Sequence, residues 1–276
     1  PLDLVGLILF GSGAALLSWL LEIFGEHALD FTSGILLSGL AAALLLGYGW
    51  HAQRSPYPLL RLALFRIRTF RVSVVGGFIT RLGIGGMPFM LPLLYQIGLG
   101  LPAWQSGLLI MPSAAAAMTM KLISTHLLAR FGFRRVLVVN TVLIGLTIAA
   151  FSRVVPGTPT AAIVGLSLLQ GLFNSLQFSS MNSMAYSDIR PEDSSMASSI
   201  ASSMQQMSMS FGLACASLVV AAYLGEQPQT DRAAVISALH HTFLTMGALT
   251  ILSSLSFWTL RPDDGENVSK GAGGEA

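Results

Sequence analysis

VSVVGGFITRLGIGGMPFMLPLLYQ, from Val72 to Gln96, is long enough to cross a bilayer and carries a single charge, Arg81. Gly76, Gly77, Gly83, Gly85 and Gly86 thin a helix around that charge, and Pro88 and Pro92 loosen its far half. Glycines let helices approach closely, and prolines free carbonyls that neighbours or water must satisfy. A guanidinium deep in a bilayer costs several kcal/mol unless it faces a partner or a watery cavity. Arg81 lies about ten residues inside the run, about 15 Å at helical rise, too deep for easy snorkelling. The stretch predicts a membrane helix beside a polar path, and the rest of the chain reads as scaffold around it.

Composition points the same way. Of 276 residues, 53% are hydrophobic and 10% charged, against about 25% charged in soluble domains. The predicted fold class is an all-α polytopic membrane protein. A net charge of +2, spread without a basic face, argues against a nucleic-acid partner. The single Cys215 rules out an internal disulfide and a four-cysteine metal site. The sequence has no nucleotide loop, nucleophile elbow or metal-ligand cluster, and adjacent His240 and His241 would point about 100° apart on a helix. No cofactor, metal or catalytic residue is expected. The chain opens on Pro1 and runs into apolar sequence without a basic flank, so it is expected to be part of a longer protein.

Hydropathy divides the chain into eight spans. Leu4 to Leu21 and Phe31 to Trp50 come first, joined by an acidic hinge holding Glu22, Glu26, His27 and Asp30. Residues 1–50 thus form a two-helix unit. Residues 51–71 hold Arg54, Arg61, Arg66, Arg68 and Arg71 among Leu, Phe and Ile, the pattern of an amphipathic helix in the interface. Residues 72–260 hold six more spans: Val72 to Gln96, Gly107 to Thr125, Val136 to Ser152, Ala161 to Tyr186, Ser195 to Leu224 and Thr242 to Leu260. Residues 261–276 read as a polar, Gly-rich, disordered tail. Taking the basic linker as cytoplasmic puts Arg130, Arg134, Arg135, Arg190, Arg261 and Lys270 inside, with only Arg153 and Arg232 outside. That bias fits the positive-inside rule and places both ends in the cytoplasm.

Polar residues within the spans are the candidate cavity lining. Arg81 is the first. Lys121, near the inner end of its span, can reach either the cavity or the interface. Gln170, Asn174 and Gln177 fall at i, i+4 and i+7 and form one helical stripe, with Ser167 close to it. Ser198, Ser202 and Gln205 form a second stripe on the next helix. Such amides bond either a substrate or a neighbouring helix.

PFMLPLLYQIGLGLPAWQSGLLIMPSA with the basic turn FGFRR, then QGLFNSLQFSSMNSMAYSDI and SSMASSIASSMQQMSMSFG, resembles the drug:proton antiporter-2 family of the major facilitator superfamily. The nearest likeness is to the MdtD-like branch of bacterial multidrug exporters. Members have fourteen spans. The resemblance implies that the first two spans are the extra central pair and the last six the C-terminal six-helix domain, with the N-terminal six-helix domain as a missing partner of the same chain. It implies a secondary active transporter in the bacterial inner membrane. Such a protein exports lipophilic or amphipathic small molecules against protons, by alternating access. Arg130, Gly132, Arg134 and Arg135 are similar to the family's inner-loop motif, and Asp188 in the next inner loop is a candidate partner for its arginines. The six spans from Val72 to Leu260 carry no Asp or Glu away from loop boundaries. The proton-coupling carboxylate is therefore expected in the missing half, with Glu22 as the local candidate. The alternative is a non-transporting accessory or scaffold membrane protein, should this chain be the whole gene product.

Overall fold

The computed structural model describes residues 3–26, 31–55, 62–225, 228, 231–261 and 263–265. The described residues are helical apart from short turns. The eight long helices are α1 (Leu4–Glu26), α2 (Phe31–Arg54), α3 (Arg68–Gly98), α4 (Ala103–Phe131), α5 (Phe133–Ala150), α6 (Thr160–Tyr186), α7 (Ser194–Leu224) and α8 (Arg232–Ser253). Seven are long and apolar enough to cross a membrane, and α1 carries a shorter apolar stretch, Leu4–Leu20. A helix of this kind satisfies its own backbone groups inside a bilayer.

Their packing shows an internal symmetry that the residues alone do not display. α4 lies on α6 as α7 lies on α3, and α5 lies on α6 as α8 lies on α3. α5 and α8 cross each other. The pattern of contacts is thus preserved when α3–α5 are exchanged with α6–α8. Small residues sit at the crossings. A Cβ on Gly145 of α5 would come within 2.6 Å of the Gly247 carbonyl of α8. One on Gly212 of α7 would come within 2.7 Å of the Arg81 carbonyl of α3. One on Gly171 of α6 would overlap the Ser113 carbonyl of α4, 2.0 Å away. In lipid, where apolar surface gains nothing by leaving its solvent, such close contact is a main source of helix association. α1 and α2 pair with each other, and α1 leans on α7.

Several boundaries differ from expectation. Of residues 51–71, the described ones, 51–55 and 62–71, are not one regular helix. Residues 51–54 extend α2, Leu62–Arg66 make a 3-10 turn, and α3 starts at Arg68, one turn before Val72. Leu64, Thr69 and Phe70 of this segment are buried, with Leu64 and Phe70 packed beside Tyr48, Ala185, Ala197 and Ile200. Their apolar alternation fits a protein groove rather than a lipid surface. α8 begins ten residues earlier than expected because Asp231 caps it, accepting from the backbone N–H of Ala233 and Ala234 at 2.9 and 3.3 Å. His240 and His241 therefore lie within α8, and His240 Nε2 bonds the Val154 carbonyl at 2.8 Å. At the C-terminal end, Asp264 takes a two-pronged ion pair from Arg68 and accepts from the Arg261 N–H. The tail expected to be loose from Arg261 onward is thus tied down over its first residues. Glu22 and Glu26 fall within α1 rather than in a hinge, while His27, Asp30, Arg61 and Lys270 lie outside the described residues.

Candidate functional site

Arg81 sits where α3, α6 and α7 meet. Its walls are Ser73 and Val74 of α3, Met181, Asn182 and Ala185 of α6, and Ala201, Met204 and Gln205 of α7. Arg81 is 6% exposed. The guanidinium carbon lies 4.8 Å from the centre of the Phe178 ring of α6, a cation–π distance. Gly77, one turn earlier, makes the room: a Cβ there would come within 2.6 Å of Arg81 Nη1. The Arg81 backbone is equally confined, because Gly85 donates to its carbonyl at 2.7 Å and Gly212 of α7 presses on the same oxygen. The glycines that thin α3 in the sequence serve both purposes.

Among the described residues no carboxylate lies within ion-pair distance of Arg81, and its side chain makes no hydrogen bond. The bland reading of a deep arginine, one tied to backbone carbonyls, is not what this geometry shows. The cavity beside it is closed to about 10 Å³, room for about one water.

Of the other predicted residues, Gln205 alone joins Arg81 at this cleft. Gln177 is buried in a helix-to-helix clamp: its Oε1 accepts from Asn140 Nδ2 at 2.9 Å, and its Nε2 donates to Thr141 Oγ1 at 2.8 Å. Asn140 also donates to the Phe173 carbonyl at 2.8 Å. Gln177 therefore fastens α6 to α5. Gln170 is 4% exposed and reaches Asn174 Oδ1 at 3.5 Å, leaving its own Oε1 without a partner. Ser167, one turn away, and Tyr95 of α3 are buried beside each other with hydroxyls also unsatisfied by hydrogen-bond geometry. Ser198 and Ser202 are exposed, and α6 and α7 touch only lightly, so the two polar stripes do not face each other along their length. Lys121 is exposed on α4 beside Leu122 and is not in the cleft.

The basic turn lies elsewhere. Gly132, with φ of 73°, ends α4 and starts α5 with no residue between, which only glycine adopts easily. It brings Arg130 and Arg134 together with Arg135 at one end of the bundle. Asp188 does not meet these arginines. It accepts from Thr69 Oγ1 at 2.8 Å, at the foot of α3. Glu192 pairs with exposed Arg190 at 3.6 Å.

Two participants escaped the sequence reading. Phe178 has no polar signature, and nothing marks one phenylalanine among fifteen. Asn140 had a visible one, a lone amide inside the apolar run VLVVNTVLIG.

Comparison with known proteins gives this arrangement a context. The family model described as Major Facilitator Superfamily matches residues 4–213 and again residues 73–276. Among similar proteins is "Putative multidrug resistance protein MdtD" of Klebsiella pneumoniae strain 342. It is 37% identical over 274 residues, covering 96% of this chain and 56% of that protein. Proteins of the same name from Serratia proteamaculans strain 568 and Cronobacter sakazakii are 32% and 35% identical. Here too the match covers 96% and 98% of this chain and 56% of theirs. The chain thus spans about half the length of the curated relatives it matches. With its apolar helices and the family match extending over nearly all its length, it belongs to the Major Facilitator Superfamily of membrane transporters.

Proposed function

We propose that this chain is part of a proton-coupled exporter of lipophilic or amphipathic organic compounds, and that Arg81 receives the anionic or electron-rich end of the substrate. One observation carries the reading: a guanidinium 6% exposed, with no counter-charge among the described residues. Burying such a group unpaired costs several kcal/mol. A ligand that brings the missing charge recovers that cost on binding. Phe178 supplies an aromatic face beside it, and Gln205 an amide. The relatives' names speak of multidrug resistance, which agrees with an adaptable site flanked by Met181 and Met204.

Alternating access follows from where the cleft sits. At about 10 Å³ it excludes an organic molecule. α6 and α7 touch lightly, so their separation opens the cleft at least cost to packing. In this reading α1 and α2 are the central pair and α3–α8 the C-terminal six-helix domain, which rocks against the part of the protein outside this chain. α3–α8 contain no Asp or Glu. The proton carrier therefore lies outside them, with Glu22 of α1 as the candidate this chain offers.

The test uses the full-length protein in drug-efflux measurements on cells. Arg81→Ala is expected to abolish export with membrane abundance held within about two-fold. Arg81→Lys, which keeps the charge without the planar fork, is expected to retain part of it. Normal export by a normally abundant Arg81→Ala protein would remove Arg81 from the site. The orientation has its own test. The Arg130–Arg135 turn and the Asp188–Asp193 loop are proposed to face the cytoplasm of a bacterial cell. Single cysteines there, in a Cys215→Ser background, should resist an impermeant thiol reagent in intact cells. Ready labelling would invert the topology.

A further inference from the structure

We propose that the basic end of α4, α5 and α6 is a binding site for an anionic phospholipid, with the phosphate on Arg134 and Arg135 and one acyl chain in the groove below them. Two cavities meet here. The upper one, about 380 Å³, is lined by Arg134, Arg135, Phe131 and Trp258. The lower one, about 440 Å³, runs between the three helices and is walled by Met120, Leu127, Val139, Leu143, Phe173 and Leu176. Phe131, Arg135 and Val139 line both, so the two are neighbours on one surface. Each falls in the range of about 300–1,000 Å³ typical of small-molecule sites.

The polar atoms are divided sharply between the two. In the lower groove the polar lining residues are Arg135, at the mouth, and Asn140, whose Nδ2 is already spent on Phe173 and Gln177. The remaining wall is apolar. The upper pocket holds two guanidinium groups at the first turn of α5, where the helix dipole is already positive and no side chain caps the free N–H groups. Among the described residues no carboxylate lies within ion-pair distance of Arg130, Arg134 or Arg135. An anion at this point is attracted by charge, dipole and unsatisfied donors together.

Depth and direction select the occupant. From Arg135 to Leu143 the groove runs eight residues along α5, about 12 Å. That is within one leaflet of a hydrocarbon core about 30 Å thick. Its flank is open, because Val139 is 56% exposed and Phe131 48% exposed. Exposed Trp258 stands at the headgroup level, where tryptophan is favoured. A free phosphate has no use for the groove, and an apolar solute has no use for the arginines. A molecule with both parts, entering sideways from the membrane, is an anionic lipid. Basic pockets of this kind on the cytoplasmic side match the leaflet in which such lipids are concentrated.

The test uses the full-length protein with every tryptophan except Trp258 replaced by Phe, in phosphatidylcholine nanodiscs. Brominated phosphatidylglycerol is compared with brominated phosphatidylcholine at equal mole fraction as a quencher of Trp258. Phosphatidylglycerol is expected to quench with an apparent affinity higher by about five-fold for each arginine engaged. The Arg134→Gln/Arg135→Gln protein should bring the two lipids to parity, and Arg134→Lys/Arg135→Lys should keep most of the preference. Val139→Phe/Leu143→Phe fills the groove, leaves both arginines in place, and should also erase the preference. It decides the matter should the glutamine pair fail to fold. Inorganic phosphate should not relieve the quenching. Equal quenching by the two lipids in the parent protein would overturn the proposal. So would a preference that survives the glutamine pair or the filled groove, or displacement by inorganic phosphate. Absence of quenching by either lipid, meaning that another part of the protein covers the flank, would overturn it equally.

Discussion

α3 and α4 are consecutive helices of similar length, 31 and 29 residues, and equally apolar, yet 67% of the most apolar window of α3 is buried and only 17% of that of α4. Side-chain volume separates them. α3 carries Gly76, Gly77, Gly83, Gly85 and Gly86; α7 and α8 close on it almost at backbone contact, and α6 reaches it through the Met181 side chain. α4 instead presents Leu108, Met111, Met118 and Leu122, between 53% and 78% exposed and spaced three, seven and four apart along one face. Such a stripe meets lipid or another apolar helix. Its Gly107 faces nothing within 4 Å. The charges follow the same division. Arg81 is enclosed between α3, α6 and α7, while Lys121 stands on the open face. Within a membrane, hydropathy says that a helix inserts, and small residues say that it becomes the axle.

The largest effect expected from this contrast is at a glycine. A Cβ at Gly83 would lie 1.9 Å from Thr250 Oγ1 and 2.8 Å from the Met246 carbonyl, two atoms already bonded to each other. Gly83→Leu should therefore cost more than about 4 kcal/mol and lower membrane abundance about ten-fold. Gly107→Leu should leave abundance within about two-fold. Quantitative blotting of membrane fractions checks both. Similar losses from the two substitutions would mean that α3 is not specially confined.

The charges give an intermediate effect, and its sign separates two accounts of Arg81. A guanidinium held ready for substrate is unpaired in the empty protein, so Arg81→Met should raise stability by about 2 kcal/mol, less whatever space the shorter side chain leaves at Gly77. A guanidinium permanently paired with a carboxylate elsewhere in the full-length protein would behave oppositely. Its removal should cost about 3–5 kcal/mol, because a buried charge is left alone. Lys121→Met should change stability by less than about 0.5 kcal/mol. Thermal or denaturant unfolding of the purified full-length proteins distinguishes these outcomes.

The same contrast explains how much could be read beforehand. The eight helices followed from hydropathy, and the core spans fell within a turn or two of their observed ends, because a long apolar run in lipid satisfies its backbone most simply as a helix. The start of α8 was missed because His240, His241 and Arg232 depress hydropathy, although Asp231 stands in the position of a cap. The exchange of α3–α5 with α6–α8 was invisible because it is a pattern of contacts, with no repeated residues to announce it. At the candidate site, Arg81 was legible because an isolated charge in a long apolar run is costly wherever it points. The amides were not, because a helical stripe gives an azimuth without naming the neighbour. Gln177 turned out to face Asn140 and Thr141, and Gln205 to line the same cleft as Arg81. Asp188 shows the same gap between loops: opposite charge suggested the arginines, and geometry gave it Thr69.

The smallest effect concerns the basic ends of these two helices. Arg68 opens α3 and is held by Asp264 through both of its carboxylate oxygens, with the Asp264 side chain 9% exposed and that of Arg68 32%. The same carboxylate accepts from the Arg261 N–H at 2.8 Å, and Gly265, at φ of 80°, sits so close to the Phe133 ring that a Cβ there would come within 2.6 Å of it. Among the described residues, Arg130, in the last turn of α4, has only the Phe131 ring at 5.6 Å. A bidentate charge-assisted pair holds its geometry better than an exposed cation–π contact. Asp264→Asn keeps the shape and removes the charge, so it should lower stability measurably, and Arg130→Gln by too little to measure. Salt tests the assignment further. Raising ionic strength to about 1 M shortens the screening length to about 3 Å, which should narrow the Asp264→Asn difference without closing it, because that carboxylate is largely covered. Equal losses from the two substitutions would mean that the foot of α3 is no better anchored than that of α4. The contrast between the two helices would then be confined to their membrane-embedded parts.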